Sequence, residues 1–124
     1  MSTRVEIVAG EVHVEAELND GETGRAVAAA LPIRSTVQRW GEEIYFRIEV
    51  EAALEAGAKA EVSVGDLAYW PTGQAFCMFF GATPVSEPGQ IRAASAVTIV
   101  GKMTGDFSGL GKVGEGAPVR IERC

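Results

Sequence analysis

Three runs of alternating apolar residues decide what class of fold this chain can adopt. In the first run Val5, Ile7 and Ala9 share one side. In the second, Val12, Val14, Ala16 and Leu18 share one side, with His13, Glu15 and Glu17 opposite. From Glu43 to Val50, Ile44, Phe46, Ile48 and Val50 point one way and Glu43, Tyr45, Arg47 and Glu49 the other. Successive side chains of a strand leave on opposite faces, so each run describes a strand with one buried face. The step Ala9-Gly10-Glu11 between the first two reads as a tight hairpin. Residues Glu61–Val64, Ala96–Val100 and Val119–Ile121 supply shorter strands. Phe76–Phe80 is different in kind. Phe76, Met78 and Phe80 fall on one side and Cys77 and Phe79 on the other, so this strand is expected to be covered twice.

One short helix interrupts the strands. Asn19-Asp20-Gly21-Glu22 is a turn, and the Thr23 hydroxyl is a candidate N-cap. Arg25–Leu31 is alanine-rich, with Val27, Ala30 and Leu31 at helical spacing, and Pro32 ends it. Residues 52–58 fit a helical turn or a connector, Gly65-Asp66 a turn, and Gly101–Gly116 a glycine-rich loop. A chain of 124 residues supports one core, and neither a repeat nor a linker divides it, so residues 1–124 are expected to form a single domain. Many short strands, frequent turns and a helix predict a mainly β protein. A closed or nearly closed β-barrel would also leave no exposed sheet edge.

Charge excludes some partners. The net charge of −6 opposes nonspecific binding to nucleic acid or to an anionic membrane, since both rely on basic patches. No stretch approaches the ~20 apolar residues of a helical membrane span, and Met1-Ser2-Thr3-Arg4 leads straight into a strand pattern rather than an apolar leader. Two cysteines, Cys77 and Cys124, make no disulfide framework, which points to a cytoplasmic protein with reduced thiols. Cys77 reads as buried filler and Cys124 as exposed.

The catalytic motifs are weak. Gly109-Leu110-Gly111-Lys112-Val113-Gly114 matches G-x-G-x-x-G in letters, but ten residues remain after Gly114, too few for the βαβ unit that gives such a loop its nucleotide. His13 is the only histidine and stands on a polar strand face, so neither a multi-histidine metal site nor a histidine-dependent nucleophile is expected. No cofactor is expected either. Glu42 and Glu43 are adjacent and would face opposite ways on a regular strand, so they form no facing carboxylate pair.

The aromatic residues carry more information. Trp40, Tyr45, Tyr69, Trp70 and Phe80 are candidates for a ligand cleft, because amphipathic rings beside turns line binding sites as well as cores. Arg34, Glu43 and Gln74 are the polar groups close to them in sequence that would orient a ligand. If the Tyr69 hydroxyl reaches that ligand, replacing Tyr69 by Phe should weaken binding.

Trp40-Gly41-Glu42-Glu43-Ile44-Tyr45-Phe46, followed by the whole of Gly65–Pro84 with Tyr69-Trp70-Pro71-Thr72-Gly73-Gln74 at its centre, resembles the cyclophilin-like proteins. These are small prokaryotic proteins of uncharacterised function. Ala30-Leu31-Pro32 and Ala96-Val97-Thr98-Ile99-Val100-Gly101 fit the same pattern, and the resemblance runs from the first strand to Arg120. It implies a cyclophilin-like closed β-barrel of about eight strands, with one or two short helices and a surface cleft. True cyclophilins rotate X–Pro bonds with an arginine above a phenylalanine-lined pocket. Their phenylalanine–histidine–arginine and glutamine–glycine–glycine stretches are absent here. By residue type alone, Phe76, Phe79 or Phe80 would form a pocket floor and Arg34 or Arg47 would donate. The expectation is therefore a binding module for a small molecule or a short proline-containing peptide, with a peptidyl-prolyl cis–trans isomerase as the second reading. Monomer and homo-oligomer both remain open.

Overall fold

The computed structural model describes residues 2–124. In chain order the elements are β1 (Thr3–Ala9), β2 (Val12–Leu18), α1 (Glu22–Ala29), β3 (Ile33–Thr36), β4 (Gln38–Arg39), β5 (Glu43–Arg47), β6 (Lys59–Val62), β7 (Asp66–Trp70), β8 (Ala75–Phe79), β9 (Ile91–Met103) and β10 (Pro118–Arg123). Short 3-10 turns occupy Pro71–Gly73 and Ser108–Lys112. No helix among the described residues is long and apolar enough to cross a membrane.

The strands pair antiparallel in the order β3-β10-β1-β2-β9-β7-β8-β5-β4, with β6 added to β9. This path has two ends, which corrects the expectation of a closed barrel. The end strands β3 and β4 are separated by Val37 alone, and strands need a turn of about two residues to fold back and pair. The sheet curls so that the chain itself bridges the gap. Val37 donates to the Ala117 carbonyl and accepts from the Gly116 N–H, both at 2.9 Å. Ser35 Oγ donates to the Arg47 carbonyl at 2.7 Å, linking β3 to β5 without a ladder. The strand count also exceeds the expected eight or so, because β3, β4 and β7 are short pieces that carry little alternation of their own.

The alternation predicted at the start holds where the sheet curls around the main core. Val5, Ile7, Val14, Leu18, Ile44, Phe46, Phe76, Met78 and Ile121 all face inward and are buried. Phe46 and Phe76 stack at 5.3 Å. Helix α1 adds Val27 and Ala28 to this core. Thr23 does not cap it. The N-cap is Gly21, and Thr23 lies buried in the first turn, where its N–H donates to Glu55 Oε2 at 2.9 Å. A carboxylate from the connector after β5 thus meets a free donor at the helix start, where negative charge is favoured. The 101–116 segment is not a plain loop: it completes β9 and then forms a 3-10 turn that buries Leu110 in the main core, so the G-x-G-x-x-G letters lie in a structural plug.

A second, smaller core forms on the outer face. Strand β9 serves three partners: its end, Gly101–Met103, pairs with β2 on one edge. Thr98–Lys102 pair with β7, while Ile91, Arg92 and Val97 pair with β6. The first half of β9, with β6, covers the outward residues of the main sheet. Val62, Ala93 and Val97 pack there against Ala68, Cys77 and Phe79. All five residues of β8 are buried, as the two-sided apolarity of Phe76–Phe80 requires.

Candidate functional site

The hairpin between β4 and β5 starts the site. Trp40 and Glu43 exchange both backbone hydrogen bonds, at 3.0 and 3.2 Å, around the tip Gly41-Glu42. Residues paired in this way project to the same face. Gly41 is required at the tip: its φ is +62°, and a Cβ would stand 2.9 Å from the Ala82 carbonyl oxygen. Tyr45 lies two residues beyond Glu43 and shares its face. Register then places Cys77 of β8 opposite Tyr45, and β7 brings in Trp70.

These side chains line a pocket of about 220 Å³, closed on its far wall by Ala93, Ala94 and Val97 of β9. The Tyr45 and Trp70 rings stand at 85° with centroids 6.2 Å apart. Trp70 is held from two sides. Its indole N–H donates to Ser95 Oγ at 2.7 Å. Gly73 backs the ring so closely that a Cβ there would stand 2.6 Å from Trp70 Cε3.

Glu43 is the chemically distinctive member. It is only 5% exposed. Burial disfavours its charged form and pushes the carboxyl up to about 7, opposed by a hydrogen bond from Cys77. Burial together with the neighbouring Glu43 charge raises the Cys77 thiol well above its usual range, so it stays protonated and unreactive. Glu43 is thus a carboxyl that changes charge near neutral pH inside an aromatic pocket, a combination enriched at functional sites. No lysine or arginine lines this pocket.

Of the eight residues proposed from sequence, Trp40, Glu43, Tyr45 and Trp70 come together here. Tyr69 does not. It is 1% exposed in the main core, and its hydroxyl donates to the Val50 carbonyl at 2.6 Å. The odd–even step from Tyr69 to Trp70 sends neighbouring rings to opposite faces of β7. Phe80 lies against the main core beneath the Arg39 guanidinium, 5.2 Å from the ring centroid. Gln74 adopts a left-handed φ of 49° and donates from Nε2 to the Ile48 carbonyl at 3.0 Å. Arg34 is exposed on β3, where it and Arg47 border a separate depression beside Pro32. Phe76 and Phe79 are buried in the main and second cores, respectively. The sequence reading missed Ala93, Ala94 and Val97 as pocket wall and Cys77 as the partner of Glu43.

Three larger depressions, one beside Asn19 and Lys102, one between α1 and residues 51–56 and the one beside Pro32, contain no aromatic side chain and no buried ionisable group. Among the described residues no three His, Cys, Asp or Glu side chains gather to hold a metal ion. His13 is on the outer surface of β2, its Nδ1 3.2 Å from the Glu6 carboxylate.

Comparison with known proteins agrees with this architecture. A family model described as cyclophilin-like matches residues 3–122. The solution structure of the hypothetical protein AF2241 from Archaeoglobus fulgidus superposes with a TM-score of 0.84 at 44% identity, covering 99% of this chain and 95% of that one. No curated protein matches the chain.

Proposed function

The chain belongs to the cyclophilin-like family, and from that premise we propose that it is a binding module whose site is the pocket of Trp40, Glu43, Tyr45 and Trp70. The observation that carries this reading is the burial of a single carboxyl, Glu43, among three aromatic side chains without a basic partner. In a plain core such a group lowers stability, and apolar or amide residues would pack there at less cost. In a site it supplies the one polar contact that orients an otherwise apolar guest. The pocket of about 220 Å³ is smaller than the ~300–1,000 Å³ that takes drug-sized ligands. Its guest is therefore compact: a small molecule, or one side chain of a short peptide.

Saturation-transfer NMR with a mixture of small amines, acids, alcohols and prolyl peptides tests this. Hits are expected with the native protein and lost with Trp70→Ala. Hits that survive unchanged in Trp70→Ala would place binding elsewhere and refute the assignment.

Prolyl isomerisation is the second reading, supported by the fold family and by the stacking of Arg39 on Phe80. Against it, the Arg39 donors already serve the carbonyls of Gly41, Gly111 and Val113, the last at 2.6 Å. Two-dimensional exchange NMR on a short X–Pro peptide is expected to show no acceleration over the slow uncatalysed rate. Faster exchange at catalytic protein concentration would reverse this order of preference.

A further inference from the structure

Building on the binding reading above, we infer that the Trp40–Tyr45–Trp70 pocket is an aromatic cage for a substituted ammonium group, with Glu43 as its counter-charge. The Tyr45 and Trp70 rings meet edge-to-face at 85°, and Trp40 lines the same pocket from the β4–β5 hairpin. Ring faces attract cations most strongly where water is excluded, and boxes of this kind take quaternary and methylated ammonium groups. The Trp70 wall is fixed before any guest arrives, by Ser95 on its N–H and by Gly73 packed against Cε3 and Cζ3 of its ring. Preorganisation of this kind reduces the ordering cost of binding.

The remaining features select within the class of cations. Glu43 is the only charged residue lining the pocket, and no basic side chain neutralises it. A cation is the guest that relieves a buried carboxylate. The side chains of Ala93, Ala94 and Val97 offer only methyl groups, so on that wall a bare, strongly hydrated ammonium would exchange water for apolar contact. Alkyl substituents on nitrogen fit those walls instead. A pocket of about 220 Å³ suits a group the size of a trimethylammonium head.

The cage also links binding to protons. A cation requires ionised Glu43, whose carboxyl burial pushes up to about 7. Cation binding therefore releases a proton below that pH, and the apparent affinity rises as the pH is raised through about 7.

Choline chloride and 3,3-dimethyl-1-butanol provide the test, because they share a shape and differ in charge. Both tryptophans of the chain, Trp40 and Trp70, line the pocket, so indole fluorescence and the two indole N–H resonances report on it alone. At constant ionic strength above about pH 8, choline is expected to bind about tenfold more tightly than the neutral isostere. Its affinity falls by up to about tenfold per pH unit below the Glu43 pKa, and Glu43→Gln weakens binding and removes that dependence. Trp70→Phe, which keeps an aromatic ring but loses the hydrogen bond to Ser95, binds more weakly than wild type. Equal affinity for the two probes, or a choline affinity indifferent to pH, would overturn the cage. Indole shifts with dimethylbutanol but not with choline would refute the cage while leaving the pocket as a binding site. No indole shift with choline at alkaline pH, in protein shown by circular dichroism to be folded, would also overturn it.

Discussion

Replacing Glu43 by glutamine is expected to stabilise the protein at alkaline pH and to leave it close to wild type in acid. In the unfolded chain this carboxyl titrates near its ordinary value of 4.5, whereas the folded pocket holds its proton up to about 7. Between those values the folded state binds the proton and the unfolded state does not. Stability therefore falls as the pH rises through this window, and the full penalty is present above about 7. At ~1.36 kcal/mol per pKa unit, the gap corresponds to about 3 kcal/mol. Glutamine keeps the size of the side chain, and its amide oxygen can still accept from Cys77. The difference between variant and wild type should then grow from near zero at about pH 4 to about 3 kcal/mol at about pH 8. Urea unfolding followed by tryptophan fluorescence measures it. With m near 1–3 kcal/mol/M, the alkaline midpoints should differ by about 1–3 M. Ionisable groups away from the pocket are common to both proteins and cancel in the difference; Cys77, the one neighbour whose thiol Glu43 pushes up, stays protonated across this pH range in either protein. Stability curves that run parallel from acid to alkaline pH would show that Glu43 titrates normally, and the electrostatic account of the pocket would fail.

Three other outcomes follow from the same structure. Tyr69→Phe leaves the buried Val50 carbonyl without its 2.6 Å donor and should cost about 1–3 kcal/mol in urea unfolding, while pocket binding of any probe stays unchanged. Gly41→Ala meets both a φ of +62° and the Ala82 carbonyl; it should lower stability by more than about 1 kcal/mol and shift the Trp40 indole resonance. Ellman's reagent should titrate one thiol in the native protein, the exposed Cys124, and both cysteines after unfolding, since Cys77 is buried and held protonated. Rapid labelling of Cys77 in the folded state would contradict the closed second core.

The strands were legible because most of them have one wet face. Val5–Ala9, Val12–Leu18 and Ile44–Phe46 alternate as the curled sheet demands. The sheet's open path was not legible, because β3 and β4 are four and two residues long and their roles depend on where Val37 is anchored. Half of the candidate site's lining was legible as well. Trp40, Tyr45 and Trp70 stood beside turns or on the presumed outer face, which is where the pocket lies. Glu43 was read as a polar residue opposite Ile44, and it does point outward. What the alternation of its own strand cannot express is that outward here means beneath a second layer. The clue lay thirty-odd residues away, in Cys77 and Phe79, whose apolar character calls for a cover on that same face. Tyr69 and Trp70 illustrate the opposite error: adjacency in sequence suggested one cleft, and strand geometry separates them.

The most direct test of the central claim is a two-dimensional ¹H–¹⁵N NMR map of the protein titrated with its best saturation-transfer hit. The account predicts that the indole N–H signals of Trp40 and Trp70 and the amides of Glu43, Tyr45 and Cys77 move together, with one dissociation constant. Shifts centred instead on Arg34 and Arg47, or on Asn19 and Lys102, with the two indoles unmoved, would contradict it and transfer the function to another face of the sheet.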